Sequence, residues 1–175
     1  MSAQLHLRAI PSPALRNSAA WLERQFEDDV EAHRGRSGRH CEEVLDERYA
    51  DQAHIYAGAC RPHAEDRPQA QVVLGGRPVR RPDPDQPPFL VLTAAQARRV
   101  AVFLTTADFD TLWFLARGAL LPRYGGLSGE PEARRAFAAG HRELTAFYVR
   151  TAECGEAVVK RLSSGDGRFA RLMPG

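Results

Sequence analysis

Residues 89–96 read Phe89-Leu90-Val91-Leu92-Thr93-Ala94-Ala95-Gln96. Four apolar residues in succession suit a buried strand. Thr93 with Gln96 three residues on is a capping box, in which each side chain satisfies a backbone N–H that the first helical turn leaves free. Ala97, Val100, Ala101 and Leu104 then recur at helical spacing, so the helix carries an apolar stripe. A strand that turns straight into a capped amphipathic helix fixes the chain as one that mixes the two element types, and the flanks show how.

Downstream, Thr105-Thr106-Ala107 breaks the pattern and Asp108 caps a helix carrying Phe109, Leu112, Trp113, Ala116 and Leu120. Pro122 and Gly125-Gly126 close that unit. The last helix is expected from about Pro131, burying Phe137, His141, Leu144, Phe147, Tyr148 and Thr151, with Gly155 interrupting it before Val158, Val159 and Leu162. Residues 1–163 are expected to form one domain and 164–175 a flexible tail.

Upstream, Arg80 to Pro88 is too proline-rich for regular structure and reads as a stiff surface connection. Gln71-Val72-Val73-Leu74 reads as a short strand, with Gly75-Gly76 as a hairpin turn and Val79 on a return strand weakened by Pro78. Cys41 to Ala57 reads as a helix with Leu45, Tyr49, Gln52/Ala53 and Tyr56 on one stripe, ended by Gly58, and residues 59–69 as a loop. At the start, Leu5, Leu7 and Ala9 alternate with His6 and Arg8, the period of a half-buried strand. Ser12 is expected to cap, and Pro13 to begin, a helix through Leu15, Ala19, Leu22, Phe26 and Val30 to about His33. Three strand regions are too few for a sandwich and do not alternate regularly with helices. The expectation is an α+β fold, a small, mostly antiparallel sheet packed against about five helices.

Composition narrows the function classes. In 175 residues, 24 Lys plus Arg face 22 Asp plus Glu, for a formal charge of +2. That balance, with a pI near 8.6, argues against a dedicated nucleic-acid binder, for which ~9 or more is usual. Lys160 is the sole lysine; every other basic residue of that count is arginine. Cys41, Cys60 and Cys154 are odd in number and widely spaced, so no disulfide framework is implied. Apolar runs such as Val100 to Leu104 fall far short of the ~20 residues that span a bilayer, so no membrane association is expected. A reducing cytoplasm is the expected setting.

Candidate chemistry is sparse. Cys60-Arg61-Pro62-His63 has the close spacing of half a zinc site, and His40-Cys41 offers a second pair, but adjacent ligands are awkward and knuckle spacing is missing. Exposed loop histidines and inert thiols account for them, and no metal or other cofactor is expected. Gly165-Asp166-Gly167-Arg168-Phe169-Ala170 has the form of a dinucleotide fingerprint, but the element before it is expected to be a helix rather than a strand and the chain ends five residues later, so it is set aside as chance. Arg77, Arg80 and Arg81 around a turn could grip a phosphate or carboxylate as planar forks, against the simpler reading of an arginine-decorated loop neutralised by Asp83 and Asp85. Tyr49, His54 and Tyr56 could line a pocket with one polar edge, although Tyr49 and Tyr56 share a helical face that suits a packed core. Trp21 and Trp113 each adjoin an apolar stripe and read as packing residues.

Taken in order, Leu5-His6-Leu7-Arg8-Ala9-Ile10, Val73-Leu74-Gly75-Gly76, Pro88-Phe89-Leu90-Val91-Leu92-Thr93, and Phe147-Tyr148 with Ala152, Gly155, Ala157 and Val158 resemble the bacterial DUF1877 (YfbM-like) family of unknown function. Many members carry a tryptophan in the second helix where this chain has Tyr49. The resemblance implies an α+β domain and carries no reaction, cofactor or partner. The expectation is therefore a non-catalytic binding or interaction protein, an immunity or regulatory protein among the options, whose partner is another protein. The alternative is a small enzyme whose site assembles from dispersed residues: His6, His54, Arg123 and Tyr124.

Overall fold

The computed structural model describes residues 3–32, 41–58 and 66–163. Its centre is a five-stranded, wholly antiparallel sheet in the order β2-β1-β5-β4-β3. The strands are β1 (Gln4–Ile10), β2 (Glu42–Leu45), β3 (Arg77–Val79), β4 (Phe89–Leu92) and β5 (Ala157–Ser163). The helices are α1 (Ala19–Ala32), α2 (Tyr49–Ala57), α3 (Pro68–Gln71), α4 (Ala94–Thr106), α5 (Phe109–Leu120) and α6 (Gly126–Glu153). Among the described residues, no helix is long and apolar enough to cross a membrane. The α+β reading holds.

Side chains alternate across the sheet, so its two faces have different contents. Leu5, Leu7 and Ala9 of β1, Leu92 of β4, and Val158 and Leu162 of β5 join the large core built with α2 to α6. Ile10, Phe89, Val91, Ala157 and Val159 face the other way, where Leu22 and Phe26 of α1 cover them. Phe26 stacks on Phe89 at 5.9 Å between ring centres. Lys160, on the large-core side of β5 between Leu7 and Leu90, is fully buried. Its Nζ donates to the carbonyls of Gln71 (2.5 Å) and Gly75 (2.8 Å), tying the segment after α3 to the sheet. Tyr148 adds a second tie from α6, its hydroxyl donating to the Val72 carbonyl at 2.7 Å.

Several local expectations are corrected. Residues 41–57 are not one helix: β2 pairs with β1 from Leu5↔Leu45 to Arg8↔Glu42, and α2 begins only at Tyr49. The open edge of β1 offers Glu42–Leu45 a ladder of backbone partners, which outweighs a helix-like apolar spacing. Residues 71–74 are not a strand. Gln71 ends α3, Val72 to Leu74 form a turn, and β3 pairs with β4 across the proline-rich connection. Pro78 is tolerated there because β3 is an edge strand.

Ser12 does not cap a helix. Its hydroxyl donates to the Gly155 carbonyl, residues 12–16 form a 3-10 turn, and Ser18 accepts from Trp21 N at the start of α1. Val158, Val159 and Leu162 belong to the central strand β5, not to a helix. α6 starts at Gly126, five residues before Pro131. Its first turn packs so closely on Tyr124 that a Cβ on Gly129 would lie 1.8 Å from the Tyr124 carbonyl oxygen, which only glycine allows. The capping box at Thr93 and the Asp108 cap form as the sequence implies, with Thr93 Oγ1 accepting from Gln96 N and Asp108 from Thr111 N.

Candidate functional site

The helix α2 brings the most polar chemistry together. Its approach is a tight turn in which the Asp46 carboxylate accepts from Arg48 N (2.9 Å) and from the Arg48 guanidinium (2.5 Å to Nη2). Those bonds hold the Asp46 carboxyl below the usual carboxylate range. Asp51 and Gln52 are both buried on α2 and project in different directions, as neighbours on a helix must. Asp51 accepts from the Tyr124 hydroxyl (2.6 Å) and pairs with Arg123 (2.5 Å). Burial and the Asp51 carboxylate push the Tyr124 phenol well above its ordinary value.

On the other side, Gln52 Nε2 donates to the Tyr56 hydroxyl at 2.8 Å, one helical turn on. The Tyr56 oxygen lies 3.1 Å from His141 Nδ1. Burial, then the charge of the adjacent Arg142, lowers His141 below its ordinary 6.5, so the imidazole is neutral near pH 7. With Gln52 donating to its oxygen, Tyr56 can give its own proton to that imidazole nitrogen.

Between the end of β2, α2 and the middle of α6 lies a cleft of about 280 Å³. Asp46, Arg48, Tyr49 and Gln52 form one wall, and Phe137, Gly140 and Glu143 the other. Gly140 lies directly under the Gln52 amide: a Cβ there would meet Gln52 Oε1 at 2.9 Å, and the amide would have to shift. Glu43, near the same end, has its carboxyl pushed up by burial and then by the Glu143 charge.

The residues singled out from sequence divide into three sets. Tyr49, Tyr56, Arg123 and Tyr124 gather around α2, Tyr49 in the cleft and the other three in the bonds just described. His54 is half-buried on the same helix. His6 is on the α1-side face of β1, 3.9 Å from Glu42, so the sheet separates it from Arg123 and Tyr124. Arg77 is exposed at the start of β3. Cys41 is half-buried, its thiol pushed up chiefly by burial and 4.0 Å from the Phe147 carbonyl. His40, Cys60 and His63 lie outside the described residues, and among the described residues no group of three or more His, Cys, Asp or Glu could hold a metal. The sequence reading missed Asp51 and His141 as polar partners. The only signal was spacing: Gln52 shares the stripe of Tyr49 and Tyr56.

A second polar cluster covers the α1 side of the sheet. Arg81 grips Glu23 as a bidentate fork (Nε 2.8 Å, Nη2 2.5 Å), and Arg161 approaches the same carboxylate at 3.6 Å. The guanidinium carbons of Arg8 and Arg161 lie 5.2 and 4.8 Å from the Phe26 ring centre, and that of Arg81 lies 5.3 Å from Phe89. A wide depression beside them is bounded by Glu23, Arg81, Asp83, Gln86, Arg161 and Ser163. Arg81 therefore acts as a carboxylate fork, but towards Glu23 of its own chain rather than Asp83 or Asp85.

An antiparallel sheet with one helix on one face and a helical layer on the other defines an α+β protein whose polar cleft lies at the β2 edge. The chain belongs to the family described as Domain of unknown function (DUF1877), which matches residues 12–160. A solved structure, described as a protein of unknown function, YfbM from Escherichia coli, superposes with a TM-score of 0.59 at 15% identity, covering 93% of this chain and 100% of that one. That likeness is one of fold. None of the curated proteins compared with the chain matches it.

Proposed function

We propose that this chain is a non-catalytic binding protein that recognises another protein through the α2–α6 cleft. The observation that carries the reading is the state of the polar groups there: Asp51 is held by Tyr124 and Arg123, and Gln52, Tyr56 and His141 form a continuous chain. Groups locked to one another in this way shape a rigid wall, whereas a catalytic base or nucleophile has to be aimed at a substrate. Size supports a protein partner. At 280 Å³ the cleft falls just below the ~300–1,000 Å³ typical of small-molecule sites, so it suits one or two side chains. Charge narrows the choice further. Asp46 and Arg48 neutralise each other, which leaves Glu143 on the wall and favours a basic side chain of the partner. An immunity or regulatory role fits such a module.

Ala139, on the α6 wall, supplies the test. The wild-type chain and an Ala139→Arg variant would be used as bait in extract of the native cell, with retained proteins quantified by mass spectrometry. The expected result is one stoichiometric partner kept by the wild type, lost by Ala139→Arg and weakened by Glu143→Gln, with unchanged melting of the baits. Identical capture by all three would remove the cleft from the reading.

A further inference from the structure

We infer that Gln52, Tyr56 and His141 form a proton-operated switch, which presents the Gln52 amide oxygen to the α2–α6 cleft while His141 is neutral and the amide nitrogen once His141 is protonated. The inference rests on the reading of that cleft as a binding site and adds its regulation. The order of donors decides it. A neutral imidazole accepts at Nδ1, 3.1 Å from the Tyr56 oxygen, so Tyr56 donates to it. The Tyr56 oxygen is then open to a donor, and Gln52 Nε2 supplies one at 2.8 Å. With its nitrogen engaged there, Gln52 turns Oε1 towards Gly140, where a Cβ would meet that oxygen at 2.9 Å. Both residues line the cleft. An acceptor in the same cleft as the Glu143 carboxylate suits a basic side chain of a partner.

A protonated imidazole donates at both nitrogens. Nδ1–H then points at the Tyr56 oxygen, and the Tyr56 proton has to go elsewhere. Tyr56 is buried, so a hydroxyl without an acceptor is costly. Its other neighbour is the Gln52 amide, and a half-turn of that amide brings Oε1 to the hydroxyl and Nε2 to the Gly140 side. A donor replaces the acceptor, which opposes a basic side chain. The Phe137 carbonyl, 3.5 Å from Nε2, favours the nitrogen in its present place and so holds the neutral setting. Burial and the Arg142 charge act in the same direction, keeping His141 below its ordinary 6.5. The elements packed around the ring add little charge. α2 presents the Tyr56 hydroxyl, α5 the Phe109 ring at 5.4 Å, and α4 packs Phe103 on Tyr56. Asp110, beside Phe109, is paired with Arg134, and the Tyr148 hydroxyl is given to the Val72 carbonyl. Among the described residues, Arg142 is the charge that bears on the imidazole. His141 is half-buried, which leaves it open to proton uptake.

The test is nuclear magnetic resonance on the isotope-labelled full chain without a partner. The Gln52 side-chain amide signals and the His141 ring signals would be followed from about pH 8 to about pH 5, the window in which histidine titrates. The Gln52 pair is expected to shift with the same midpoint as His141. Glu43 and Glu143 also titrate beside the cleft, and Tyr56→Phe separates their effect, because it cuts the link and leaves both carboxylates in place. In Tyr56→Phe the His141 ring should still titrate while the Gln52 response at its midpoint is lost. In His141→Asn the Gln52 pair should stay flat through that midpoint. A Gln52 pair that ignores the His141 titration, or follows it equally in Tyr56→Phe, would overturn the proposal. Failure of the cleft to capture a partner would leave this titration unchanged, so the two readings fail separately.

Discussion

Lys160 stands on the middle strand with Leu7 and Leu90 as its cross-strand neighbours. Burial drives its amine well below the ordinary 10.5. A buried amine replaced by a hydrocarbon is often harmless, but here the acceptors are backbone carbonyls that no mutation removes. Lys160→Met is therefore expected to lower stability by about 2–3 kcal/mol, since a buried carbonyl left without a donor costs ~1–3 kcal/mol. Urea unfolding with an unchanged m-value would measure it, and a midpoint equal to wild type would count against the tie. An amine-reactive ester should leave Lys160 unlabelled in the native protein and modify it only after unfolding.

His141 is the second residue with a clear consequence. Because its native pKa lies below 6.5, the unfolded chain takes up more protons than the folded one as pH falls through that value. Its contribution to stability is thus complete above pH 6.5 and declines below it. The melting temperature of the wild type should drop more between pH 7 and pH 5.5 than that of His141→Asn. Parallel curves would mean that the imidazole is not the group responsible.

At the scale of elements, the ones legible in the sequence are those whose signals are local. The box at Thr93 and the Asp108 cap need only residues within one turn, and both form. Thr93→Ala should cost about 1 kcal/mol, the usual worth of an N-cap, readable as a lower denaturation midpoint. If Thr93→Ala unfolds at the wild-type midpoint, the cap adds nothing that solvent does not replace. Elements defined by distant partners were misread. Glu42–Leu45 has the spacing of a helix face and becomes a strand because β1 lies open beside it. Val158, Val159 and Leu162 satisfy a helical count, yet a run buried on both faces of a sheet shows no alternation to reveal itself. The candidate site was half visible for the same reason. Tyr49, Gln52 and Tyr56 share a stripe within α2, but the bond from Tyr124 to Asp51 spans 73 residues and that from Tyr56 to His141 spans 85.

Across the whole molecule, the sheet order sets what each face can do. The α1 side is a packed, charge-compensated lid of Arg8, Arg81 and Arg161 on Phe26 and Phe89, while the opposite side carries the helical layer with the cleft. The strand at the centre, β5, is the last of the described elements in the chain, and it alone joins the β2–β1 ribbon to the β4–β3 ribbon. During synthesis, every earlier element leaves the ribosome before the piece that unites them. Until residues 157–163 emerge, both ribbons present an open apolar edge to solvent, the condition in which nascent chains aggregate or recruit chaperones. Folding must therefore finish late, in a step that closes long loops at once and is slow for that reason.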